Sequence, residues 1–132
     1  MEISGTERQA IVVALKAAAQ MYKIGNVTPT ANTANMSPAL KRSEAQFAFV
    51  CENLADQFER LGKVDLNEEN YKVVTAALRL SCKRWFDMAQ HELVKFEREK
   101  KLAFSLSYDT LADRIDKAAA AAMRRKPQLK QQ

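Results

Sequence analysis

Helix breakers are scarce: the 132 residues include only three Gly and three Pro. A sandwich or barrel of short strands needs turn residues at close, regular spacing, and this chain does not have them. One histidine rules out a His-rich metal centre and weakens most acid–base schemes. Two cysteines cannot frame a disulfide scaffold. No stretch is apolar for the ~18 residues that a membrane span needs, and no basic segment leads into an apolar run at the start, as a secretory leader would require. The expectation is a cytoplasmic protein with no membrane association. There is no Gly-rich phosphate loop, no Gly-x-Ser-x-Gly elbow and no Cys/His pair at useful spacing. The chain is therefore read as non-enzymatic, with no cofactor, no metal and no catalytic residue.

Helix signals are plentiful. Ser4 precedes Glu7 by three residues, the reciprocal capping pattern. Ser37 stands directly before Pro38, a cap followed by the one helical position where a missing N–H costs nothing. Asp65 and Glu68 give a third start, and Gly25 and Gly62 follow apolar-periodic runs where a left-handed residue ends a helix. Together these predict an all-α, single-domain antiparallel bundle of about four helices with a long central third helix. Residues 1–123 form the bundle and 124–132 a basic flexible tail.

The first helix is expected over 5–24, with Ile11, Val12, Leu15, Ala18, Ala19 and Tyr22 as its main stripe. Its other side carries Ala10, Val13, Ala17, Met21 and Ile24, so it belongs at the centre of a bundle or partly at an interface. Residues 26–36 make a long connector. The second helix, 38–61, lines one face with Leu40, Phe47, Val50, Cys51, Leu54, Phe58 and Leu61. The third shows no breaker from about 66 to 105, with a stripe of Tyr71, Val74, Leu78, Cys82, Trp85, Ala89, Leu93 and Phe96. Helix two is too short to cover its far end. A fourth helix, capped by Ser107 and carrying Tyr108, Leu111, Ile115, Ala118, Ala119 and Ala122, is expected to fold back over Leu93, Phe96 and Phe104, with Ile115 meeting Phe96. If helices two and three pair as a hairpin, Cys51 faces Leu78 and lies too far from Cys82 for a disulfide, leaving both as reduced core thiols.

The acids Glu52, Asp56 and Glu59 share one face opposite the apolar stripe of helix two and read as solvated. Asp87 and His91 are four apart but lack the further ligands that a metal needs. The net charge of +5 is local: with the tail cations Arg124, Arg125, Lys126 and Lys130 set aside, 17 basic side chains face 16 acidic ones. A nucleic-acid-associated protein touching phosphates through that tail, aided by Lys72, Arg79 and Lys83 on one helix face, is the alternative reading.

The first reading is a protein-interaction module: an adaptor, inhibitor or assembly factor docking on a larger protein, of the kind common among phages and mobile elements. It rests on large aromatics where a self-contained bundle would not put them. Phe49 falls among the charges of helix two, near Arg42 and Arg60, and Phe86 falls among those of helix three. These four residues are the expected partner contacts. Self-association, most plausibly as a dimer through helix one or the overhang of helix three, is expected as well.

Overall fold

A computed structural model describes residues 2–22 and 38–125, with the backbone alone for 38–43 and 125. Four helices and no strand occur among these residues: α1 (Gly5–Tyr22), α2 (Pro38–Leu61), α3 (Tyr71–Gln90) and α4 (Lys95–Arg125). The all-α bundle expected from the sequence is the observed architecture. The ends expected at Ile24 and Gly25, the 26–36 connector, the Ser37 cap and the tail beyond 125 lie outside the described residues.

Local chemistry accounts for each described boundary. At α1, the Ser4 N–H donates to Glu7 Oε1 (3.0 Å) and the Glu7 N–H donates to Ser4 Oγ (3.1 Å), so two otherwise orphaned donors are satisfied. The backbone bond from Ser4, with help from the Arg114 guanidinium, holds the Glu7 carboxyl below its ordinary range. At the other end of the pair, α2 stops at Gly62, whose φ of +68° is a left-handed conformation closed by its N–H donating to the Phe58 carbonyl (3.1 Å). A Cβ at Gly62 would meet no atom within 4 Å, so backbone strain alone selects glycine here.

The α3 start differs from the expected Asp65/Glu68 pair. Asn67 Oδ1 accepts the N–H groups of Glu69 and Asn70, while Asn70 Oδ1 accepts the Asn67 N–H in return. Asn70 is buried and its amide also donates to the Asp65 carbonyl (2.9 Å). Asp65 thus supplies a backbone acceptor, and the asparagine pair closes the turn that leads into α3, with Asn70 at the N-cap position but making no side-chain bond to the helix. An amide can both accept and donate, as the buried Asn70 side chain does here and a carboxylate cannot.

The long third helix is the main correction. It ends at Gln90, its last turn tightened by His91 and Glu92 N–H groups reaching back to Met88 and Ala89 carbonyls (3.2 Å each). After four intervening residues α4 begins at Lys95. Glu92 makes the break possible without glycine or proline: its carboxylate accepts the Val94 N–H (3.2 Å) and pairs with Lys101, and its carbonyl accepts Arg98 Nε (3.2 Å). Lys101 is the main reason that its carboxyl lies below the ordinary range. The longest helix is instead α4, 31 residues or about 46 Å. Ser107 is not a cap but lies mid-helix, its hydroxyl donating to the Phe104 carbonyl.

The early reversal sets the packing. α1 lies against both α2 and α3, α4 runs along α3, and α2 meets α3 only slightly, so the expected helix-two/helix-three hairpin is replaced by α1 wedged between them. Ile11 and Leu15 of α1, Cys51 and Phe58 of α2, Val74 and Leu78 of α3 and Leu111 and Ile115 of α4 share one buried cluster. Ile115 therefore packs into the body and not against Phe96. Cys51 is fully buried, which pushes its thiol up to about 12. Both cysteines are free, with Cys82 half-buried.

Candidate interaction surface

Beyond Ser81 on α3 and before Tyr108 on α4, no residue belongs to the shared core. That part of the hairpin, 82–107, is an arm whose two helices pack mainly on each other, with only Ala89 and Ser105 buried. Ser105 ties the helices together: its hydroxyl donates to the Cys82 carbonyl (2.9 Å) and lies 3.3 Å from Cys82 Sγ. One turn further out the rings of Trp85 and Phe104 stack with centroids 5.1 Å apart. The Glu92–Lys101 ion pair closes the tip.

Outside these contacts the arm is apolar where it meets solvent. Leu93 is 92%, Phe96 70% and Leu106 66% exposed, and Phe86, Met88, Val94, Leu102 and Phe104 are exposed too. They fall into two groups. Phe96 and Phe104 lie on α4, and Leu93 lies in the turn just before it. Leu102 and Leu106 lie on the other side of α4, at the level of Phe86 on α3 in the antiparallel hairpin. Among the described residues the cover expected for Leu93, Phe96 and Phe104 is not found, because the chain turns at Glu92 and places Leu93 in the turn and Phe96 and Phe104 on the returning helix itself.

The expected partner residues fare differently. Phe49 is 63% and Phe86 49% exposed, so neither ring is core. They sit on different helices, Phe86 on the arm and Phe49 on α2. Arg60 is exposed near the end of α2, and the Arg42 side chain lies outside the described residues. Of the basic set, Lys72 and Lys83 are exposed, whereas Arg79 is held by Asp113 and Asp116 of α4, which raise its already high pKa. Arg124 is exposed with its Nε donating to the Ala120 carbonyl (3.4 Å), and the Arg125 side chain, Lys126 and Lys130 are not described.

A groove of about 440 Å³ lies at the opposite end of the hairpin, between residues 64–68 and the last turns of α4, floored by Ala118, Ala119 and Ala122. Asp65 and Glu68 are among the residues that line it. Among the described residues no three His, Cys, Asp or Glu side chains converge as metal ligands, and no helix is long and apolar enough to cross a membrane. The residues that sequence reasoning placed wrongly are therefore those of the arm. The signal for them was present in Phe96, a large aromatic inside the charged run Lys95–Lys101. Comparisons with protein-family models, with curated proteins and with solved structures found no match.

Proposed function

We propose that this protein is a non-enzymatic interaction module, an adaptor, inhibitor or assembly factor, whose contact surface is the α3–α4 arm. One observation carries the reading: the arm presents eight exposed large apolar side chains beyond the level at which α1 and the core support it. Isolated apolar residues on a surface are ordinary, but a cluster confined to one protruding element marks a contact site. Leu93 is the extreme case, since a leucine almost fully in water gains nothing for the monomer. The two free thiols accord with work in a reducing, cytoplasmic setting.

The test is capture of binding partners from the native host by the full chain and by a Leu93→Ser/Phe96→Ser variant. The expected result is a stoichiometric polypeptide retained by the wild type and lost from the variant, at an unchanged melting temperature. Recovery of nucleic acid instead, released by moderate salt and lost on deletion of residues 124–132, would favour the phosphate-contacting alternative.

A further inference from the structure

We draw no further inference here: the strongest candidate, the groove of about 440 Å³ between residues 64–68 and the last turns of α4, joins a stripe of small residues (Ala118, Ala119 and Ala122) to the acids Asp65 and Glu68, and nothing in the structure shows what covers it.

Discussion

The asparagine pair that opens α3 offers a sharp test of how this fold is held. Asn70→Ala removes two hydrogen bonds of a buried side chain, one accepted from the Asn67 N–H (2.8 Å) and one donated to the Asp65 carbonyl (2.9 Å). Each is worth about 1 kcal/mol net. Asn67 and Asp65 are both exposed, so water can reach the groups left behind and no further burial penalty is added. The expected cost is about 2 kcal/mol. For a chain of this length the unfolding entropy is ~0.28 kcal/mol/K, so the melting temperature should fall by about 7 °C. The effect should be global, because the same turn carries Val64 and Leu66, which pack against the core. Asn67→Ala, which deletes the acceptor for the Glu69 and Asn70 N–H groups, should cost about 1 kcal/mol, an ordinary capping loss. Asn70→Asp is the informative control: it keeps an acceptor for Asn67 but aims a carboxylate oxygen at the Asp65 carbonyl. It should therefore lose most of what alanine loses. Thermal and urea unfolding followed by circular dichroism measure all three. An Asn70→Ala protein within about 0.5 kcal/mol of wild type would refute the reasoning, and would mean that packing of Val64 and Leu66 alone positions the turn.

Phe49→Ser and Phe86→Ser should each leave stability within ~0.5 kcal/mol, as surface changes do, while Phe58→Ala, fully buried, should cost ~3–5 kcal/mol; one melt per variant separates exposed from core aromatics. Because the Glu7 carboxyl is held below its ordinary value of 4.5 in the fold, its stabilisation is fully present above that value and is lost as pH falls through the folded value. Acid titration should accordingly destabilise wild type more than Glu7→Gln, and equal acid sensitivity would count against the capping pair as the source. The Cys51 thiol should resist a thiol reagent at mildly alkaline pH until the protein unfolds, since burial pushes it up to about 12. Labelling kinetics with and without denaturant, on a Cys82→Ser background, read this directly.

What was legible in the sequence is whatever local chemistry decides alone. The Ser4/Glu7 pair needs only four consecutive residues, and Gly62 needs only its own missing Cβ, so the start of α1 and the end of α2 fall where the sequence puts them. The helical stripes of Ile11, Leu15, Cys51, Phe58, Val74 and Leu78 are read from spacing, and all are buried. The exposure of Phe49 was legible for the same reason, because it breaks the polarity pattern of its own helix, whereas for Phe86 the pattern fitted cover by a neighbouring helix equally well. The reversal at Gln90 was not. No breaker marks it, and a continuous helix to 105 satisfies every local rule. What decides it is tertiary: Leu111 and Ile115 reach the core beside Val74 and Leu78 only if the chain turns back early, and Glu92 can stabilise that turn only once Val94, Arg98 and Lys101 have come round to meet it. The same turn leaves Leu93, Phe96 and Phe104 in water. The sequence alone determined that these residues are apolar and helically spaced; whether they would be core or surface depended on where the fourth helix went, because burial is a property of the neighbours that the fold supplies.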